Sequence, residues 1–243
     1  MKRRQFVKLC GAAVAGVSAS PELLGEGNRE LHFYERVRLT DNYNKQPVHA
    51  SSLEVGETYL FHYPFVSTPC FLIDLGRPVT SQENLATENG DHYHWPGGAG
   101  PNRSIVAFSA ICAHKMSHPA PSVSFINYRH GTTSFRDHDK TVVQDDDVIY
   151  CCSEKSVYDP AAGARVLGGP APQPLAAIAL DYVEAEDSFY ATATIGGEMF
   201  DRYFEVFGQR LVLDHGRTDI RRYSSDSTEL MRMRDFCTNL VLC

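Results

Sequence analysis

Cys112-Ala113-His114-Lys115-Met116-Ser117 and Cys151-Cys152-Ser153-Glu154-Lys155-Ser156-Val157-Tyr158-Asp159-Pro160 are the two stretches on which the reading of this chain turns. Each sets a thiol close to a second side chain able to bind metal: His114 two positions after Cys112, Glu154 three positions after Cys151. Each also follows a β-favouring run. Ser104-Ile105-Val106-Ala107-Phe108-Ser109-Ala110-Ile111 delivers the chain to Cys112, and Val148-Ile149-Tyr150 ends at Cys151. Thirty-six residues separate His114 from Cys151; they hold a long insertion with Ser122–Ile126 and an acidic run, Asp145–Asp147, read as a solvated turn.

Outward from these loops the chain reads as short strands. Thr58–Tyr63 and Cys70–Leu75 come first, the second closed by the turn residues Gly76-Arg77-Pro78; Ala177–Leu180 and Phe189–Thr194 come last, before Gly196-Gly197. Residues 80–103 read as a loop rich in Gly, Asn and Pro, with His92 and His94 as exposed loop histidines. Strands at this spacing predict an all-β antiparallel sandwich or barrel over 55–197. Residues 20–54 are expected to be a linker or wrapping segment. Residues 198–243 are expected to be a C-terminal extension with mixed charge and a helix over Ser227–Asn239.

Composition narrows the partners. A net charge of −7 argues against nucleic acid, whose phosphates demand a basic face. No 18-residue apolar run predicts a transmembrane helix, which leaves at most a peripheral association with a membrane. The start, Lys2-Arg3-Arg4-Gln5-Phe6-Val7-Lys8, resembles a twin-arginine export signal, with a small-residue stretch to Ala19 and a suitable cleavage site at Val17-Ser18-Ala19. Residues 1–19 are therefore expected to address the protein to the periplasm. Seven cysteines (10, 70, 112, 151, 152, 237 and 243), an odd count with two adjacent, do not form an obvious disulfide framework, so metal ligation and disulfides stand level.

Together the two loops resemble those of the Rieske iron–sulfur family, Cys-x-His and Cys-x-x-His, over roughly residues 55–195. Gly169-Pro170-Ala171-Pro172 and Leu175 resemble the proline loop that covers such clusters; Gly97–Pro101, Ile105–Ser109, Tyr63-Pro64 and Pro69 resemble the small subunit of arsenite-oxidase-type enzymes. The resemblance implies a [2Fe-2S] cluster with Cys112 and Cys151 on one iron and His114 on the other. In that arrangement imidazoles replace two thiolates and raise the potential. It also implies that Ser156 and Tyr158 donate hydrogen bonds to cluster sulfurs, stabilising the reduced form, and that Pro170 lies over the group.

The sequence departs from the family at two places. Glu154 stands where the second histidine is expected and Lys155 where a glycine follows it; Ser117 and Ser153 stand at the two positions that often carry an interloop disulfide. Glu154 as an oxygen ligand would exchange a neutral donor for an anion and lower the potential below the ordinary range of roughly −150 to +300 mV. Alternatively Cys152 enters the cage, or His118, His130 or His138 does, or the cluster is lost. The implied function is a periplasmic electron-transfer subunit that relays single electrons between a molybdenum-type catalytic subunit and a cytochrome. The alternative is a cluster-free structural subunit of such a complex. A Rieske oxygenase is excluded, because its mononuclear iron needs two further histidines and only His215 lies beyond residue 138. No nucleophile–base set or phosphate-binding loop supports a stand-alone enzyme.

Overall fold

The computed structural model describes residues 30–243, so the export-signal reading lies outside the described residues. Seven strands close a barrel in the order β1 (Leu31–Asp41), β12 (Ser188–Ile195), β11 (Ala177–Val183), β6 (Ile105–Ser109), β3 (Pro69–Asp74), β2 (Thr58–His62) and β13 (Ser227–Arg232). All neighbours are antiparallel except β1 and β13, which run parallel from Arg38↔Ser227 to Asp41↔Leu230. A second sheet, β10 (Arg165–Gly168), β9 (Ser156–Asp159), β8 (Val142–Cys151) and β7 (Ile126–Arg136), packs against it, and β4 (Gln82–Ala86) with β5 (His92–Trp95) forms a separate hairpin.

The near-continuous apolar character of β2, β3 and β6 follows from burial on both faces. Successive side chains point to opposite sides of a strand. Leu60, Phe71, Ile73, Val106 and Phe108 join a core shared with Ile126, Ile149 and Tyr158 of the second sheet. Their neighbours Tyr59, Phe61, Cys70, Leu72, Ile105 and Ala107 pack with Val37, Leu39, Phe189 and Leu230 from β1, β12 and β13. Burying both faces keeps the barrel wall rigid beneath the loops it carries.

Several expectations are corrected. Residues 31–41, expected within a linker or wrapping segment, form β1, in which Val37 and Leu39 are buried on either side of Arg38. The loop read over 80–103 contains the β4–β5 hairpin. Asp145–Asp147 lies inside β8, not in a turn. There β7 and β8 pair through a bulge, with Gly131 and Asp147 both at positive φ, and Asp147 Oδ1 accepts from Gly131 N at 2.9 Å. The helix expected over Ser227–Asn239 is instead β13 followed by one helical turn, Met233–Phe236, because pairing with β1 and β2 outweighs a local helical preference. The tail's helix is α1, Phe200–His215, ended by Gly216 in the left-handed conformation. No helix among the described residues is long and apolar enough to cross a membrane.

Candidate metal centre

The first loop leaves β6 at the end of the barrel. Ser109 N donates to Ala176 O at 2.7 Å and Ala110 N to Pro69 O at 2.9 Å, so the strand stays pinned up to the loop. The loop then closes on itself: Cys112 N donates to Ser117 O and Met116 N to Cys112 O, both at 2.9 Å, with Met116 at φ +57°. The Met116 and Ile111 side chains are buried against Phe200, Tyr203, Phe204 and Leu211 of α1, which buttresses the loop from behind.

The second loop is the β8–β9 connection, with Cys151 opposite Ser156 across the ladder. Lys155 takes up a left-handed φ of +61°, the conformation for which a glycine would be the easier residue. Gly169 lies against this loop so closely that a β-carbon there would come within 2.2 Å of Lys155 O. Pro170, next to it, is exposed at the surface, and Ala171 returns to the core.

Between the loops the two thiols meet. Cys112 and Cys151 are each 1% exposed and neither is in a disulfide. The Cys151 thiol donates to the Cys112 sulfur, which favours the Cys112 thiolate and holds its pKa well below the ordinary value; the same contact and burial push Cys151 up. Tyr158, fully buried on β9, sets its hydroxyl 3.2 Å from Cys112 Sγ and accepts from Ala113 N at 3.1 Å. Ser156 is also fully buried, and its Oγ has no hydrogen-bond partner; the buried Nδ1 of His114 has none either.

The outer rim is polar. Lys115 Nζ donates to Glu154 Oε1 at 2.6 Å across the two loops, with both side chains largely exposed. This contact holds the carboxyl below its usual range, with His114 adding a smaller contribution in the same direction. Ser117 Oγ donates to Ser153 Oγ at 2.7 Å. Among the described residues no three His, Cys, Asp or Glu side chains group around one point in a way that would hold a single ion.

No family model matches the chain. One solved structure is similar in part. The soluble domain of the Rieske protein II (soxF) from Sulfolobus acidocaldarius aligns at 26% identity over 68% of this chain and 82% of that chain, with a TM-score of 0.45. At that score the likeness decides neither fold nor function, which rest on the barrel, the second sheet and the loops between them.

The residues named as alternative ligands lie elsewhere. Cys152 is bonded to Cys243. His118 Nδ1 lies 2.9 Å from Met116 O, and its ring packs edge-on against Tyr203 and Phe207. His130 pairs with Asp147 at 2.8 Å, and His138 Nε2 lies 3.3 Å from Val166 O. Sequence reasoning missed the Cys152–Cys243 bond and the Lys115–Glu154 pair. Nothing in local spacing signals either.

Proposed function

We propose that this chain is a Rieske-type electron-transfer protein whose Cys112 and Cys151 hold one iron of a [2Fe-2S] cluster and whose His114 holds the other. The carrying observation is the buried pair of thiols, brought together from two loops and touched by the Tyr158 hydroxyl. The donor chemistry fits the group. Two thiols, one poised as thiolate, suit iron, and the orphaned Ser156 Oγ and His114 Nδ1 are buried polar atoms whose cost the group would relieve. When bound, the cluster accepts and releases one electron without binding a substrate.

The chain's own residues set the conditions for that chemistry. Tyr158 orients Cys112 and fixes the first loop through Ala113 N. Ser156 presents a hydroxyl for a sulfur, and hydroxyl donors of this kind stabilise the more negative reduced form. Gly169 packs against the second loop, with Pro170 next to it at the surface. Glu154 is the fourth donor in this reading. Its pairing with Lys115 engages Oε1 and is exposed and screened, hence weak. We place the protein in the periplasm, as a subunit relaying electrons between a molybdenum-type catalytic subunit and a cytochrome. The Cys152–Cys243 bond supports an oxidising compartment. Pairing of Glu154 with a lysine supports the second reading, a cluster-free structural subunit of the same complex.

Iron content and low-temperature EPR of dithionite-reduced protein, made in a host competent for cluster insertion, separate the two. About two irons per chain and a Rieske-like signal are expected; colourless, metal-free protein would leave only the structural reading. A signal unchanged in Glu154→Gln would remove Glu154 from the ligands.

A further inference from the structure

The two loops meet at the buried Cys112–Cys151–Tyr158 contact and at a polar rim, while a covalent tie leaves the second loop in another direction. Cys152, the residue after Cys151, is disulfide-bonded to Cys243 across 91 positions, with Cα atoms 5.8 Å apart. The tail that carries Cys243 is laced to the segment leading into β7. Thr238 N donates to Pro121 O at 2.9 Å, Ser124 N to Asn239 O at 3.0 Å, Val241 N to Ser124 O at 2.9 Å, and Asn127 Nδ2 to Val241 O at 3.0 Å. The same segment reaches the second loop directly, since Cys152 N donates to Phe125 O at 2.6 Å and Ile126 pairs with Cys151. Arg129 locks the corner: its guanidinium stacks 4.1 Å over the Tyr150 ring and donates to Cys152 Sγ at 3.1 Å and to Cys243 O at 2.9 Å.

We propose that the C-terminal tail is a clasp, closed by the Cys152–Cys243 disulfide, that positions the second loop so that Cys151 meets Cys112. The inference rests on the metal-centre reading for its purpose, but the clasp itself is formed by the chain's own residues. The physical need is plain. Cys151 must be held to a fraction of an ångström against a thiol on a different loop; Tyr158 ties the first loop to β9, beyond Cys151, and the rim beside Cys151 adds one serine–serine hydrogen bond and one exposed ion pair. The two rim contacts are exposed and exchange readily with water. A disulfide beside the ligand removes that freedom and transmits the rigidity of β7 and the tail to the loop. Cys152 and Cys243 are thus positioning residues, acting through Cys151.

The test uses the full chain in two states. In the metal-free protein, hydrogen exchange is followed at amides 151–155 for wild type and for the variant Cys152→Ser/Cys243→Ser; exchange is expected to quicken about tenfold or more in the variant. Adding Ser117→Cys and Ser153→Cys to that variant, once mass spectrometry shows their bridge formed, should bring the loop rates back to within about threefold of wild type. In the iron-loaded protein, release of iron to a chelator should quicken in the unclasped variant and slow again in the rescued one. Should the variant fail to fold, native wild type reduced by a phosphine, with two electrons and two protons converting the bridge to two thiols, is measured in its place. Loop exchange unchanged by opening the bridge, or not restored by the new one, would overturn the clasp. Absence of iron in every form would overturn the metal-centre reading instead, leaving the exchange result to decide the clasp alone.

Discussion

Tyr158 shows how much one side chain carries. Its hydroxyl is fully buried and meets both Cys112 Sγ and Ala113 N, so Tyr158→Phe leaves a buried N–H without a partner. Such a loss costs about 1–3 kcal/mol. A lowered urea midpoint in the metal-free variant, with the barrel's circular dichroism retained, is expected; an unchanged midpoint would show that the hydroxyl is dispensable. At this scale Cys112, His114, Cys151, Ser156 and Tyr158 were singled out in the sequence through the resemblance of their two loops to a known family's loops. It did not show that Glu154 faces Lys115, because an ion pair between side chains 39 positions apart leaves no trace in local spacing.

The elements divide by whether a strand's partners are visible from its own sequence. β2, β3, β6, β11 and β12 were legible as β-favouring runs between turn residues. β13 was not, since its pairing with β1 and β2 decides its form. The helix α1 was also missed, though its buried Phe200, Tyr203, Phe204 and Leu211 lie at helical spacing. Where α1 meets β2 and the first loop's exit, His62, His118 and His215 line a cavity of about 70 Å³ with Asp214. Burial lowers all three imidazole pKa values, that of His62 to about 3 with help from His215; Asp214 opposes the shift at His118 and His215, and Arg210 reinforces it at His118. His62 is therefore neutral when folded, burial biases His118 and His215 the same way, and each favours taking up a proton on unfolding below about pH 6.5. Their contribution is complete above that pH and declines as pH falls toward the folded values, by at most about 1.4 kcal/mol per pH unit for each histidine. Urea midpoints should fall between pH 7.5 and 5.0, and His62→Asn should flatten the dependence. A midpoint independent of pH over this range would refute the effect, because few carboxylates titrate there.

At the scale of the molecule, the barrel closes only through its ends. β1 and β13 lie outside residues 55–197, yet they join the edges of β12 and β2 and carry Val37, Leu39 and Leu230 into the core. A fragment of 55–197 would expose two unpaired strand edges beside an opened core, a recipe for aggregation. It is expected to be insoluble or unfolded, whereas the chain from residue 30 to 243 folds. A soluble fragment with a cooperative unfolding transition would show that closure is not required.

What the sequence determined by itself was local: which stretches alternate or run apolar enough to be strands, where turns break them, and which donor side chains stand together on two loops. Pattern and spacing suffice for these because each depends on neighbours within a few residues. Only the tertiary structure decided that β1 and β13 close the barrel, that Cys152 bonds Cys243, and that two thiols from separate loops share one buried place. Those outcomes are contacts between distant positions, selected by which arrangement buries the most apolar surface and satisfies the most backbone groups, and no local period encodes that choice.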